Sequence, residues 1–294
     1  MTTPALGRVG LWTAALDALE VPAARDQVAA LDAQGWGALW FGEAYGREAF
    51  TAAQLYLGAS ERLVVATGIA SIYGRDAVAA NGAARTLEAA FPGRFVLGLG
   101  VSHAPLVERM RGHAYGRPVA AMRDYLDALD AAPYAAAGDT PAPPRVLAAL
   151  GPRMLELARE RAQGAHPYLV TPEHTAQARA ALGPDALLAV EQAVVLADDV
   201  DEWRRRAHWH LEIYTGLPNY RASWRRQGFH DDDAVRGGSE RLKQAMVVRG
   251  PDAIRDRVRA HLDAGASHVC LQVLGADPFD VPAADWAALA GEVL

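Results

Sequence analysis

Short runs of apolar, β-prone residues recur along this chain, and each is followed by a stretch carrying the helical period. The runs fall at 8–12 (RVGLW), 37–41 (GALWF), 63–69 (LVVATGI), 95–100 (FVLGLG), 145–150 (RVLAAL), 165–170 (AHPYLV), 187–196 (LLAVEQAVVL) and 267–274 (SHVCLQVL). Strands that alternate with helices pair in parallel, and strands apolar along nearly their whole length are buried on both faces. Eight such units in 294 residues fit a closed (β/α)8 TIM barrel, a single domain over 1–294, better than an open doubly wound sheet. A Rossmann-like sheet would want a glycine-rich turn after its first strand, where this chain has TAALDALEVP. The later GLGVSH has Gly98 and Gly100, but His103 stands where G-x-G-x-x-G needs a third glycine.

The helical stretches carry their own start and stop signals. Pro22 suits the first turn of a helix with Val28 and Leu31 on its apolar stripe and Gly35 at its end, and Asp76 caps a helix running to about Ala90. Gly151-Pro152 and Gly250-Pro251 each open another, the latter with Ile254, Val258 and Leu262 on one face and Gly265 beyond it. Residues 199–248, between the seventh and eighth strands, exceed a minimal barrel. Val200, Trp203, Ala207, Leu211, Tyr214 and Leu217 recur there at helical spacing, so this insertion starts as an amphipathic helix with an aromatic face. A lid over one barrel mouth and a subunit contact are equal readings of such a face. The one linker-like tract is AAPYAAAGDTPAPP at 131–144.

Charge and composition exclude several partners. A net charge of −6 argues against a nucleic-acid surface, and Arg204, Arg205 and Arg206 follow Asp198, Asp199, Asp201 and Glu202 in an order that suits a solvated helix and its dipole. Lys243 is the single lysine among 29 Lys and Arg residues and lies in a charged segment, which leaves almost no lysine chemistry. A lone Cys270 in an apolar run offers neither a disulfide framework nor a thiol metal cluster and suits a reducing cytoplasm. The opening MTTPALGRVGLW lacks the charged and long apolar regions of a secretory signal, and no uncharged apolar stretch reaches about 18 residues, so the expectation is a cytoplasmic protein with no membrane partner.

In a parallel barrel, chemistry belongs where strands end and loops begin. Those positions hold Trp12 and Thr13, Glu43, Gly68 to Ser71, Ser102 and His103, Leu150 and Gly151, Thr171, and Gln272. No metal-ligand cluster emerges; His208 and His210, two apart on a helix, point to different faces. A nucleophile-elbow G-x-S-x-G and a phosphate-binding P-loop are both absent. One histidine, one carboxylate and several glycines suit a site where a cofactor carries the hard chemistry.

The order GWGALWFGEAY (35–45), LVVATGIASIY (63–73), FPGRFVLGLGVSHA (91–104) and GASHVCLQVL (265–274) resembles the bacterial luciferase-like superfamily of flavin and deazaflavin oxidoreductases. More narrowly it is similar to the actinobacterial branch that uses the deazaflavin coenzyme F420. The resemblance covers nearly the whole chain and is most specific at the GWG-x-x-W strand and at GRF-x-LGLG; Phe91 and Pro92 replace the usual small residues before that Gly-Arg.

The resemblance implies roles for particular residues. Glu43 falls where the family keeps an acidic residue beside the flavin or substrate, and Gly68-Ile69 where it has a non-prolyl cis peptide facing the ring. His103 falls where related deazaflavin enzymes place an acid or base, often Glu. Gly151 matches a backbone contact to the cofactor phosphate. The implied site thus has His103 and Glu43 as catalytic residues, with Gly68, Ile69, Ala70, Ser102, Leu150 and Gly151 binding cofactor and no metal. Each placement is physically apt: Gly68 admits close approach of a flat ring, and a helix start at Gly151-Pro152 offers free N–H groups to a phosphate. Structural alternatives stand beside them, with Gly68 as a plain bulge, Glu43 as a helix cap or ion pair, and His103 as a hydrogen-bonded loop residue. The implied function is an F420-dependent oxidoreductase moving hydride between the deazaflavin C5 and a small organic substrate, in a homodimer. An FMN-dependent monooxygenase and a non-catalytic flavin-binding protein are the alternatives.

Overall fold

Along each strand the side chains alternate between two sides, and closing the sheet turns those sides into an inside and an outside. In the computed structural model, which describes residues 5–138, 140–278 and 280–294, the eight barrel strands are β1 (Val9–Trp12), β2 (Ala38–Phe41), β3 (Val64–Thr67), β4 (Phe95–Gly100), β5 (Arg145–Leu147), β6 (Gly164–Ala165), β7 (Leu187–Val195) and β8 (His268–Val273). All pair in parallel with their sequence neighbours, and Val269 of β8 pairs with Val190 of β7 on one side and Val9 of β1 on the other, which closes the barrel. Two short strands lie off this circuit. Ala70–Ser71 extends the β3 side along Leu99 and Gly100 of β4, and Val247–Arg249 pairs with Ala193–Val195 of β7.

Three strands are shorter than the sequence suggests. β3 ends at Thr67, ahead of a cis peptide at Gly68–Ile69. β5 ends at Leu147, and β6, Gly164–Ala165, keeps only Ala165 of the expected run and starts one residue before it. Pro167 has no N–H to give a ladder, and Leu169 is left-handed at φ 53°, so the chain after β6 leaves the sheet. The end of the expected insertion, at Val247 and Val248, belongs instead to the strand beside β7.

The alternation yields two apolar clusters. Leu11, Leu39, Val65, Leu97, Val190 and Leu271 face out against the helices, while Ala38, Trp40, Ala66, Val96, Ala189 and Cys270 face in. Small residues dominate the inside because one fully buried ring, Trp40, fills its centre. Trp40 Nε1 donates to His268 Nε2 at 3.1 Å and its ring stacks on His166 at 4.6 Å, so the polar atoms of this layer are largely met within it. Gly10 is required there: a Cβ would stand 2.6 Å from His268 Nε2 and 2.9 Å from the Ala38 carbonyl.

The outer ring runs α1 (Val21–Gln34), α2 (Ala49–Leu57), α3 (Ala77–Ala90), α4 (Pro118–Ala131), α5 (Pro152–Arg161) and α6 (Pro172–Leu182). Pro occupies the first turn of α1, and Asp76 caps α3 through the Ala79 N–H, as expected. After β7 come α7 (Val200–Thr215), α8 (Pro218–Arg226) and α9 (Glu240–Met246), then α10 (Pro251–Asp263) before β8 and α11 (Ala283–Val293) after it. Asp199 caps α7, and Glu202 pairs with Arg205 and Arg206, the acid-then-base order read from the sequence. Trp203, Ala207 and Leu211 of α7 are buried within the chain, together with Trp224 of α8 and Leu242 of α9. Full burial of a leucine such as Leu211 contributes about 1.5–3 kcal/mol. The aromatic face of the insertion is therefore seated on its own barrel. Among the described residues no helix is long and apolar enough to cross a membrane.

Candidate active site

Burial opens at one end of the barrel. Val64–Thr67 and Ala70–Ser71 are buried, yet Gly68 and Ile69 between them are partly exposed. The same holds for Gly42 and Glu43 after β2, Ser102 and His103 after β4, Leu150 and Gly151 after β5, and Gln272 at the end of β8. These are C-terminal strand ends, the side of the barrel where parallel topology collects functional groups. The structure thus gathers Glu43, Gly68, Ile69, Ser102, His103, Leu150 and Gly151 around one mouth, while Ala70 is buried beneath it.

The Gly68–Ile69 peptide is cis, and its groups are tied down: the Gly68 carbonyl accepts from Trp12 Nε1 at 3.0 Å and the Ile69 carbonyl from the Glu43 N–H at 3.1 Å. A Cβ at position 68 would lie 2.6 Å from Trp12 Nε1 and 3.0 Å from His166 Nε2, so only glycine fits between the two rings. His166 donates from Nδ1 to the Ala189 carbonyl at 2.9 Å, which leaves Nε2 as an unpartnered acceptor under Gly68. Burial pushes this imidazole down to about 4, so it is neutral.

Glu43 has little freedom. Its carboxylate takes the Ser71 N–H at 2.9 Å, the Ala49 N–H at 3.3 Å at the start of α2, and both terminal nitrogens of Arg75, one at 2.9 Å. Arg75 also reaches Glu48 at 2.9 Å and lies over the Phe50 ring. Four donors on one carboxylate fix the loops after β2 and β3 relative to each other. Its neighbour Arg75 sits in RDAV after the third strand, a position the sequence reading passed over.

His103 differs in kind. Its main-chain carbonyl accepts the Leu106 and Val107 N–H groups, starting a short π-helical turn at Leu106–Met110, while its Nδ1 is buried with no partner. Burial pushes the imidazole below its usual value, and its ring lies 5.8 Å from that of Tyr220. Ser102 just before it is left-handed at φ 56°, its carbonyl accepting from Tyr115 Oη at 3.3 Å, which turns the chain so that residue 103 faces the mouth. No hydrogen bond joins His103 to Glu43 among the described residues.

At Gly151, α5 begins without a side-chain cap, and Pro152 occupies its first turn. The Leu150 carbonyl accepts from Arg226 Nη2 of α8 at 2.9 Å and lies 3.3 Å from His174 Nε2. An uncapped helix start beside a guanidinium that holds only a carbonyl is suited to an anion. Arg226 belongs to the insertion, so linear sequence gave no sign that it would reach Gly151.

The insertion also supplies aromatic rings at the mouth. Tyr168, after β6, packs edge-on to Trp12 at 5.3 Å and meets Tyr214 of α7 and Tyr220 of α8 at 5.4 and 6.3 Å. Tyr214 donates to the Tyr168 hydroxyl at 3.0 Å, which donates on to Gln272 Oε1 at 2.5 Å. Below them Glu191, fully buried on β7, accepts the Leu169 N–H at 2.9 Å through Oε2 and leaves Oε1 unpartnered. Burial raises its carboxyl to about 8 against the opposing pull of that N–H, so it is protonated at neutral pH. The signal for it was a lone carboxylate inside LLAVEQAVVL. His208 is exposed and His210 buried, as their spacing implied, and no group of potential metal ligands exists among the described residues.

Residues 6–268 match the family model for luciferase-like monooxygenases. A protein of Mycobacterium tuberculosis described as a coenzyme F420-dependent oxidoreductase is 33% identical over 100 residues, which is 34% of this chain and 29% of that relative. The fold is similar to that of an F420-dependent secondary alcohol dehydrogenase bound to an F420-acetone adduct, with TM-score 0.71 and 13% identity over 94% of this chain and 98% of the other. It is similar as well to the coenzyme F420-dependent tetrahydromethanopterin reductase of Methanopyrus kandleri, with TM-score 0.70 and 17% identity over 99% of both chains. The EDTA monooxygenase of Chelativorans sp. BNC1 aligns with TM-score 0.72 and 12% identity over 97% of this chain and 92% of the other. At these identities the three structures speak for the fold alone.

Proposed function

Since the chain belongs to the luciferase-like monooxygenase family, we propose that it is a coenzyme F420-dependent oxidoreductase acting on a small organic substrate. One observation carries this reading: a partly exposed Gly68–Ile69 step, without a side chain at residue 68, faces the same mouth as a buried, unpartnered His103 Nδ1. These residues fit a flat tricyclic ring, and the uncapped start of α5 with Arg226 fits its phosphate. The Mycobacterium relative and the F420-dependent neighbours support the choice of deazaflavin.

The deazaflavin, when bound, takes or gives a hydride at C5. The chain's own residues do the rest. Gly68 and Ile69 present backbone to one face of the ring, held in place by Trp12 and by the Glu43 N–H. Glu43 and Arg75 position the loops and move no proton, because both carboxylate oxygens of Glu43 are held by Arg75 and by the Ser71 and Ala49 N–H groups. His103, neutral and desolvated, accepts or returns a proton at Nδ1 as charge develops on the substrate heteroatom. Tyr214, Tyr220 and Trp224 keep water from the insertion side. Buried, unpaired Cys270 suits a reducing cytoplasm.

An FMN monooxygenase is the rival, favoured by the monooxygenases of the same fold. Absorbance and fluorescence titrations with F420 and with FMN separate the two. We expect tighter binding of F420, bleaching of its oxidised form on addition of substrate, and no coupled oxygen uptake; equal or tighter binding of FMN passes the reading to the monooxygenase.

A further inference from the structure

We propose that the site takes an uncharged substrate with an aromatic or alicyclic body and a single carbonyl or hydroxyl group, held against a wall of rings that the insertion completes. The inference rests on the oxidoreductase reading of the mouth and adds the substrate's class. The wall is continuous. Trp12 meets Tyr168 at 5.3 Å, Tyr168 meets Tyr214 at 5.4 Å, Tyr214 meets Tyr220 at 4.8 Å, and Tyr220 meets His103 at 5.8 Å. Rings at such spacings present flat apolar faces and polar edges, a surface that favours another flat or cyclic body over a flexible chain.

Part of the polar capacity on this wall is used up. The Tyr214 and Tyr168 hydroxyls are spent on each other and on Gln272. Two open groups sit side by side: the Tyr220 hydroxyl, which makes no hydrogen bond among the described residues, and His103 Nδ1, which is buried without a partner; His166 Nε2 under Gly68, His210 Nε2 beside Tyr214 and Glu191 Oε1 are unpartnered elsewhere around the wall. They belong to touching rings, so they can serve one substrate oxygen, the phenol as donor and the imidazole as the proton carrier beside it.

Charge is absent from the wall itself. Burial keeps the His103, His166 and His210 rings neutral and the Glu191 carboxyl protonated. Charged groups sit at the rim, off the wall: Glu43 and Glu48 pair with Arg75, Arg111 holds the Ala44 carbonyl, and Arg226, beside Gly151, is the group set toward the cofactor phosphate. An ionic substrate would lose its hydration against this wall without gaining a counter-charge, and that unpaired burial is what rejects it.

Three probes of similar size and different charge test the inference: acetophenone, benzoate and benzylammonium. Each is titrated calorimetrically into protein saturated with whichever of F420 or FMN it binds. We expect acetophenone to bind at least about tenfold more tightly than either ion, a margin of about 1.4 kcal/mol. Tyr214→Ala should weaken acetophenone at least about fivefold and leave the cofactor dissociation constant unchanged; Tyr220→Phe, which keeps the ring, should weaken it less. Equal or tighter binding of either ion, failure of all three to bind at about 10 mM, or indifference to both substitutions overturns the proposal. The cofactor titration alone decides the cofactor reading, so the two fail separately.

Discussion

At the scale of single residues the site divides into groups that are tied down and groups that are free. Glu43 is tied to Arg75 and two backbone N–H groups, and Gly68 is wedged between Trp12 and His166. His103 Nδ1 is free, so His103→Ala should lower turnover by at least about tenfold with cofactor affinity unchanged, the loss of one acid or base. Steady-state rates beside a cofactor titration check this, and full turnover in the variant would assign the proton to another group. Glu191 makes a prediction of a different sort. Its carboxyl holds its proton up to about 8 in the folded chain, whereas in the unfolded chain it ionises near 4.3. Between those values the folded state binds more protons than the unfolded state, so this group's effect on stability turns more unfavourable as pH rises, by about 1.4 kcal/mol per pH unit at most. Buried His166, His210, His261 and His268 act in the opposite direction below about 6.5, since unfolding lets them take up protons. Glu191→Gln removes only the first contribution, so denaturant titrations from pH 5 to 8 should show the variant's stability, relative to the parent's, rising with pH by up to about 1.4 kcal/mol per unit. Residue identity made Glu43, Gly68 and His103 legible as strand-end residues. The Glu43–Arg75 pair was not, because the two meet only through the curl of the loops after β2 and β3.

At the scale of elements, helix α8 decides what the insertion does. Three long side chains tie it to main-chain atoms in the loops after β5 and β6: Trp224 Nε1 donates to the Leu169 carbonyl at 3.1 Å, Arg226 donates to the Leu150 carbonyl, and Gln227, just past the helix, accepts the Thr171 N–H at 2.9 Å. Leu169 is held left-handed from both sides, its N–H by Glu191 and its carbonyl by Trp224. Trp224→Phe removes one of these bonds and some packing, a loss of about 1–3 kcal/mol that falls mainly on the insertion. Hydrogen exchange should then speed up across 218–227 by about tenfold or more while β1 to β4 stay protected, and uniform change through the barrel would contradict that assignment. The helical spacing of Trp203, Leu211 and Tyr214 revealed the helix and its apolar face. It left lid and subunit contact equal, because periodicity says that a face must be covered and nothing about which surface covers it.

At the scale of the whole molecule, the closed barrel leaves between α2 and α3 a shallow cleft of mixed lining, with Glu48, Thr51, Gln54, Arg75 and Thr86 beside Ala79 and Ala83, buried Phe50 and Leu87 beneath, and Val78 exposed nearby. Val78 is apolar helix surface that the barrel does not cover, and we propose a homodimer, for which light scattering at micromolar concentration should give twice the 31.4 kDa of the chain. A mass of one chain would leave that surface to solvent. The alternation of apolar runs and helical periods by itself determined that the strands are parallel, doubly buried and eight in number, because those properties follow from the two-residue and 3.6-residue repeats of the backbone. It also placed the candidate residues at strand ends. Only the tertiary structure decided which ends meet: that Arg226 comes to Gly151, that Tyr220 comes to His103, and that Glu191 is buried under Tyr168 rather than exposed. Those partners lie on different elements far apart in the chain, and their meeting depends on barrel closure and on where α8 is seated, distances that no local repeat encodes.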